Sequence, residues 1–174
     1  MSHLRQPLFF SPFRGAAVLI GALALSGLAV SGHAADAGEP TEAQPELPRQ
    51  PLTVVSANGQ HVFSVELAKT PRQQQVGEMF RPTVPADRGM LFVWPYPQQS
   101  DMWMENTLAS LDIVFIGADH RIQAIAENAV PRSLAHISSH GPVVATLELQ
   151  GGVTAKEGIS VGDRIEAAAL GGKS

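Results

Sequence analysis

The sequence predicts a mainly β domain, either a jelly-roll-like β-sandwich or a small barrel, of about eight strands with one or two short helices. Two observations predict this class. Short apolar runs recur along the chain between glycine, proline and asparagine turn signals, which is the pattern of strands. Only two segments carry the residues that start and stop helices.

Residues 1–35 have the features of an export leader. Two arginines give a basic start, and residues 16–30 then contain no charge. This run suits the core of a signal peptide and is shorter than the roughly 20 residues of a membrane-spanning helix. Small residues allow cleavage after Ala34 or Ala37. We therefore expect a periplasmic or secreted protein with no stable membrane anchor after cleavage, while retention of the leader as an anchor stays open.

Residues 36–51 are predicted to form a linker, because they hold four prolines and four acidic residues with little to bury. Residues 52–168 are long enough for a single β domain. Residues 169–174 are predicted to be a C-terminal tail.

Composition excludes several classes of function. The chain has no cysteine, so disulfides, thiolate catalysis and cysteine metal ligands are excluded. Beyond the leader, ten basic residues stand against sixteen acidic ones, which gives a formal charge of −6. This balance argues against nucleic acid and anionic membrane surfaces as partners. We expect no cofactor and no metal.

The predicted strands follow the apolar runs in order. Asn58-Gly59 separates the first two and is a strong hairpin signal, because both residues tolerate positive φ. Pro95 and Pro97 are predicted to end the third strand. The predicted strands are LTVVS, HVFSVEL, MLFVW, MWMENT, LDIVFIG, RIQAIAEN, PVVATLELQ and DRIEAAA.

Two helices are predicted from their ends. In TPRQQQVGEMF, Thr70 can cap the N-terminus, with Pro71 at the first helical position. In VTAKEGI, Thr154 can cap the start and Gly158 can stop the helix.

The candidate ligand site lies in the stretch DMWMENTLASLD. Trp103 offers an aromatic surface, and Asn106 and Thr107 offer polar groups beside it. If this stretch is a strand, Trp103 and Thr107 share one face and Asn106 lies on the other. A mostly apolar recess with a few oriented polar groups is the usual makeup of a small-ligand site.

Asp112 starts the apolar run LDIVFIG, which is predicted to be a central strand covered on both faces. A buried carboxylate is costly unless it is paired with a cation or accepts several hydrogen bonds. Arg72, Arg81 and Arg88 are candidate cations, and we expect Arg81 to neutralise Asp112 at the recess.

Two other functions use the same stretch. Glu105 and Asp112 would be the acid and base of a hydrolase of envelope material. Met102 and Met104 would offer two thioethers to a soft metal such as copper. Two acids seven residues apart are common by chance, and methionine thioethers also fill apolar cores. The hydrolase and the soft-metal site are therefore kept as alternatives to the ligand-binding site.

Three longer stretches carry a resemblance to a known family. They are GEMFRPTVPADRGMLFVW, MWMENTLASLDIVFIGADHRI and LELQGGVTAKEGISVGDRI. Together they resemble the domain of unknown function 192 family over about Leu52 to Ile165. The resemblance implies a compact, mainly β, jelly-roll-like domain, often behind a signal sequence in bacteria. It brings no catalytic residues, because the family has no established activity.

The family's recurrent positions include most of the candidate site. They map onto Met79, Arg81, Gly89, Met90, Trp103, Met104, Asn106, Thr107, Asp112, Gly158, Gly162 and Asp163. Glu105 stands where the resemblance implies a basic residue, which weakens the carboxylate-pair mechanism. We therefore expect a non-enzymatic exported module that binds a small molecule or an envelope component through Arg81, Trp103, Asn106, Thr107 and Asp112.

Overall fold

The computed structural model of the protein describes residues 38–171. The predicted export leader lies outside the described residues, as do the last three residues of the predicted tail. Within the described range, no helix has the length and apolar character needed to cross a membrane.

Strands dominate the described residues, with two short α-helices, so the predicted mainly β class is confirmed. The strands are β1 Arg49–Ser56, β2 Gly59–Ala68, β3 Arg88–Met102, β4 Leu111–Ile116, β5 Ile122–Ala129, β6 Ile137–Gln150 and β7 Arg164–Ala167. The helices are α1 Pro71–Val76 and α2 Val153–Glu157, and a 3-10 turn follows at Ala168–Leu170. Residues 49–51 of the predicted linker are part of β1.

The strands form one seven-stranded sheet in the order β5-β4-β6-β3-β2-β1-β7. Neighbours are antiparallel except β2 and β3, whose parallel pairing needs a crossover, and α1 lies in that crossover. The sheet curls into a half-barrel. At one end the backbones of Arg121 and Arg164 form an isolated antiparallel β-bridge, and the Ile122 N–H donates to the Asp163 carbonyl. These contacts join the two outer strands, β5 and β7. The described residues thus form a single curled sheet, where the sequence predicted a jelly-roll-like sandwich or a small barrel.

The strand count differs from the prediction because β3 runs through both prolines. Its pairing with β6 shifts register between Val93 and Gln98, so Pro95 and Pro97 lie in an irregular stretch where no ladder N–H is required. The strand then ends at Met102. One long strand replaces the predicted third strand and the start of the fourth.

The predicted alternation of side chains after Met102 is wrong, because residues 103–110 form an irregular loop with a turn at residues 105–106. The Met104 N–H donates to the Ser133 carbonyl, and the Thr107 N–H donates back to the Met104 carbonyl. Asn106 has a φ of 53°, which lies outside the extended region of a regular strand. This loop places the candidate residues by its own geometry instead of by strand faces.

Most local signals for turns and helix ends are confirmed, but the predicted cap at Thr154 is wrong, because α2 already begins at Val153 after Gly152 and Thr154 lies inside the helix. Ser56 pairs with Gly59 across a two-residue hairpin turn. Thr70 caps α1 in a capping box, in which its side chain accepts from the Gln73 N–H and the Gln73 side chain accepts from the Thr70 N–H. Gly158 ends α2 with a φ of 67°.

All six residues of β4 are buried, as predicted for a central strand. A smaller apolar cluster lies apart from the main core. It consists of Ala68, Met90 and Phe92, with Trp94 and Met102 half-buried against it. This smaller cluster supplies part of the wall of the candidate site.

Candidate functional site

Asp112 is fully buried, and hydrogen-bond donors satisfy it instead of a cation. Its Oδ1 accepts from the Asn128 N–H at 2.8 Å and the Gly152 N–H at 2.8 Å. Its Oδ2 accepts from the Thr154 N–H at 2.9 Å and the Thr154 hydroxyl at 2.7 Å. Gly152 and Thr154 begin α2, so Asp112 caps that helix from β4. The predicted pairing of Asp112 with Arg81 is therefore wrong.

Arg81 instead pairs with two buried glutamates. Its Nη1 and Nη2 donate to the two carboxylate oxygens of Glu66, each at 2.9 Å, in a bidentate pair. Its Nη1 also donates to Glu78 Oε2 at 3.0 Å. Arg49 adds a second ion pair to Glu66 at 3.2 Å. The side chains of Glu66 and Glu78 are each 2% exposed.

A cavity of about 130 Å³ opens beside Trp103. Trp103 is 45% exposed, and its ring meets His136 edge-on with a centroid distance of 5.9 Å. Thr107 and Met102 also line the cavity. Trp103 and Thr107 are thus the two predicted site residues that the structure brings together around one recess.

The deep wall of the cavity carries two polar groups that the sequence analysis missed. Glu148, on β6, is only 4% exposed, and its Oε2 has no hydrogen-bond partner among the described protein atoms. The same holds for the buried indole Nε1 of Trp94 on β3. Both residues line the cavity. Native proteins pair nearly all buried polar atoms, so two orphaned atoms around one cavity require an explanation.

Gly77, the C-cap of α1, brings the backbone close to Glu148. It has a φ of 48° and a ψ of −130°, a conformation that favours glycine. A Cβ added there would lie 3.0 Å from the Phe92 ring and 3.7 Å from Glu148 Oε2. The absence of a side chain lets the end of α1 form this part of the cavity wall.

Electrostatics separate the three buried glutamates. Burial and, to a smaller extent, the charge of Glu78 together raise the pKa of Glu148 to about 8, against the attraction of Arg81. Burial also raises the pKa of Glu78 against the attraction of Arg81. Burial would raise the pKa of Glu66, but hydrogen bonds from Arg81 and from the Leu47 N–H outweigh it and the pKa is lowered. Glu66 is thus charged at neutral pH, and Glu148 is the member most prone to hold a proton.

Glu78 links two recesses. It lines the cavity beside Trp103 and also a second cavity of about 340 Å³, which Glu66 and Arg81 line. Arg81 does not line the first cavity, and its positive charge reaches that cavity through its ion pair with Glu78.

Asn106 does not line the cavity, but its backbone helps to hold the neighbouring loop in place. Its carbonyl accepts from the Phe80 N–H at 2.9 Å, and the neighbouring Thr107 carbonyl accepts from the Arg132 N–H at 3.1 Å. The Thr107 hydroxyl donates to the Glu105 carbonyl at 3.2 Å. Trp103 lies on this loop. The two backbone bonds attach the loop to the residues that follow α1 and to the loop that precedes β6.

The hydrolase pair of Glu105 and Asp112 is wrong on geometric grounds. Asp112 has no exposed surface, and both of its carboxylate oxygens are occupied by donors. A carboxylate enclosed in this way has no access to a substrate.

The thioether pair also fails. Met104 is completely buried in a core cluster with Leu111 and Ile113, whereas Met102 lines the cavity. The two sulfurs therefore do not form an accessible pair. Across residues 38–171, no group of three histidine, aspartate or glutamate side chains could hold a metal ion.

The sequence did carry a signal for the missed glutamates. Glu66 and Glu148 are single acids inside the apolar runs HVFSVEL and VVATLELQ. A lone charge within a buried strand must be paired or must serve a site.

Comparisons with known proteins agree with the resemblance. Residues 53–167 match the model of the DUF192 family, described as uncharacterized ACR. A crystal structure of a putative transcription regulator from Sinorhizobium meliloti 1021 is 40% identical, with a TM-score of 0.70, and the match covers 73% of this chain and 99% of that one. A protein of unknown function from Novosphingobium aromaticivorans DSM 12444 is 39% identical, with a TM-score of 0.69 and coverage of 75% and 94%. No curated protein matches.

Proposed function

The chain belongs to the DUF192 family, and we propose that it is an exported, non-enzymatic module that binds a small polar ligand in the cavity beside Trp103. The observation that supports this most directly is the pair of orphaned buried atoms, Glu148 Oε2 and Trp94 Nε1, on the wall of one cavity. A ligand that reaches both atoms satisfies them, and apolar walls with a few oriented polar groups are typical of small-ligand sites.

The size of the cavity limits the ligand. Its volume of about 130 Å³ is close to the roughly 150 Å³ of an apolar cavity that holds one benzene molecule. The ligand, or the part of it that enters, therefore has about six non-hydrogen atoms. A larger molecule would extend past Trp103, whose half-exposed ring offers a surface for stacking.

Export and the choice of partner rest on the sequence. The leader pattern of residues 1–35 supports a periplasmic or secreted location, where a small molecule or an envelope component is available. The name of the Sinorhizobium structure refers to transcription. For this chain the excess of acidic residues opposes contact with DNA phosphates, so we do not extend that role to it.

Tryptophan fluorescence tests the proposal directly, because both tryptophans of the chain line the cavity. A set of small cationic, neutral and anionic compounds would be titrated against the full chain. We expect at least one to shift the emission saturably, and Trp103→Ala to weaken its binding. Tyr96→Ala is the matched control, because Tyr96 is a 65% exposed aromatic residue that does not line the cavity. If no compound binds, or if Tyr96→Ala weakens binding as much as Trp103→Ala, the proposal fails.

A further inference from the structure

We infer that the cavity beside Trp103 selects a small organic cation, a primary ammonium that also carries an oxygen acceptor, and this inference rests on the proposed function. The ammonium would donate to Glu148 Oε2, and the oxygen would accept from the Trp94 indole N–H. Three features of the site support this ligand: the charge of the buried cluster, the composition of the cavity wall and the donor or acceptor character of the two orphaned atoms.

The buried cluster is one positive charge short. It contains three carboxylates, from Glu66, Glu78 and Glu148, each no more than 4% exposed. The ion pairs that reach the cluster come from two guanidinium groups, those of Arg81 and Arg49. Both of these pair with Glu66, and neither is bonded to Glu148. A third positive charge beside Glu148, either a proton or a cationic ligand, balances the cluster.

The cavity wall itself is acidic and aromatic. Glu78, Glu148 and Asp101 line it, and no lysine, arginine or histidine does so in the described part of the chain. Hydrogen bonds from Gln99 and Ser138 lower the pKa of Asp101, so it is ionised at the mouth. Phe92, Trp94 and Trp103 add aromatic rings, which attract cations through their π faces.

The orphaned atoms add an orientation. A carboxylate oxygen accepts from an ammonium, whereas an indole N–H can only donate. A ligand with an ammonium and a nearby hydroxyl or ether oxygen satisfies both groups at once. Ethanolamine is the simplest such molecule, and its four non-hydrogen atoms fit the volume of the cavity.

The same geometry implies that Glu148 releases a proton when the ammonium binds. The charged groups near Glu148 are Glu78 at the end of α1, Arg81 behind it and Asp101 at the cavity mouth. The neighbouring strands contribute the uncharged side chains Met90 and Ile113. Burial raises the pKa of Glu148 to about 8, so without a cation it holds a proton at pH 7. An arriving ammonium should displace that proton.

Calorimetric titration of the full chain tests the inference, with ethanolamine as the probe and ethylene glycol as its neutral analogue. We expect ethanolamine to bind at least about tenfold more tightly than ethylene glycol. A tenfold difference in affinity equals the interaction energy that shifts a pKa by one unit. Titration at pH 7 in two buffers of different ionisation enthalpy should show close to one proton released per ligand. Glu148→Gln keeps the shape of the side chain and should abolish both the preference and the proton release.

The controls separate this inference from the proposed function. Equal binding of ethanolamine and ethylene glycol, tighter binding of acetate, or an unchanged preference in Glu148→Gln overturns the cation and leaves the binding module intact. Equal competition by potassium or calcium chloride overturns the organic nature of the ligand. A complete absence of binding by every compound overturns the proposed function itself. Asp101→Asn, which removes a charge at the mouth of the cavity and should reduce the preference for ethanolamine, provides a second variant if Glu148→Gln does not fold.

Discussion

The hydroxyl of Thr154 donates to Asp112 Oδ2 at 2.7 Å, and this bond ties the first turn of α2 to the central strand β4. The two residues are 42 positions apart in the chain, and both are fully buried. The contact makes the short helix dependent on one carboxylate.

Asp112→Asn should therefore destabilise the fold. The amide NH₂ would face N–H donors, which leaves buried groups unpaired, and we expect the free energy of unfolding to fall by about 2–3 kcal/mol. Thr154→Val removes only the hydroxyl bond and should cost about 1 kcal/mol. Thr154→Ser keeps the hydroxyl and is the control. Urea denaturation followed by circular dichroism measures all three, and a fully stable Asp112→Asn protein would contradict the capping role.

Glu148→Gln should change how stability depends on pH. Because the pKa of Glu148 is raised from 4.5 to about 8, the folded state retains a proton that the unfolded state releases. The stability gained is fully present below pH 4.5 and is lost as the pH rises through about 8. The variant has no such group, so its stability relative to the native protein should rise by on the order of 3 kcal/mol between pH 5 and pH 8.

Denaturation at several pH values measures this difference. Glu127→Gln, at an exposed position of β5, is the matched control and should follow the native profile. Parallel profiles for the native protein and Glu148→Gln would show that Glu148 is ionised throughout this range.

Arg81→Met should leave Glu66 and Glu78 without their shared cation. Removing one partner of a buried ion pair costs about 3–5 kcal/mol. Arg81→Lys keeps the charge but loses the bidentate geometry, so we expect an intermediate loss of stability. Adding Glu78→Gln to Arg81→Met should recover part of the loss, because Glu78 is the carboxylate left unpaired, whereas Glu66 keeps its ion pair with Arg49. Chemical denaturation measures the three variants, and a lack of recovery would mean that Arg81 acts through packing alone.

Gly77→Ala should combine backbone strain with a steric contact. The positive φ alone costs on the order of 1–3 kcal/mol, and the new Cβ would lie 3.0 Å from the Phe92 ring in the cavity wall. Gly162→Ala is the matched control, because Gly162 has a φ of 95° but open space around it. Both variants should lower the melting temperature, and only Gly77→Ala should shift the tryptophan emission. Identical emission spectra would show that Gly77 does not shape the cavity.

Features determined by neighbouring residues were predictable from the sequence. The hairpin at Asn58-Gly59, the capping box at Thr70 and the stop at Gly158 each depend on a few adjacent residues, and all three are confirmed. The continuation of β3 through Pro95 and Pro97 was not predictable, because it depends on a register shift against β6, whose paired residues Ala145 and Val143 lie far along the chain from Val93 and Gln98.

The site was harder to predict for a related reason. The donors to Asp112 are mostly backbone N–H groups, which every residue except proline carries, so the sequence has no mark for them. An arginine side chain was the partner for Asp112 that the sequence suggested, but Arg81 forms ion pairs with Glu66 and Glu78 instead. The position of Trp103 beside a recess was predictable because a large aromatic residue beside polar groups is a local signal. The surroundings of Glu148 depend on distant strands and could be seen only in the fold.

The bridge between Arg121 and Arg164 has a consequence for behaviour in solution. A sheet edge with unpaired backbone groups recruits strands from other molecules, and this recruitment begins many kinds of aggregation. Here the curl brings the two edge strands of the sheet, β5 and β7, into contact, and β7 is only four residues long. Little edge remains for another molecule to extend, so the curvature that shapes the fold also limits this edge-to-edge recruitment.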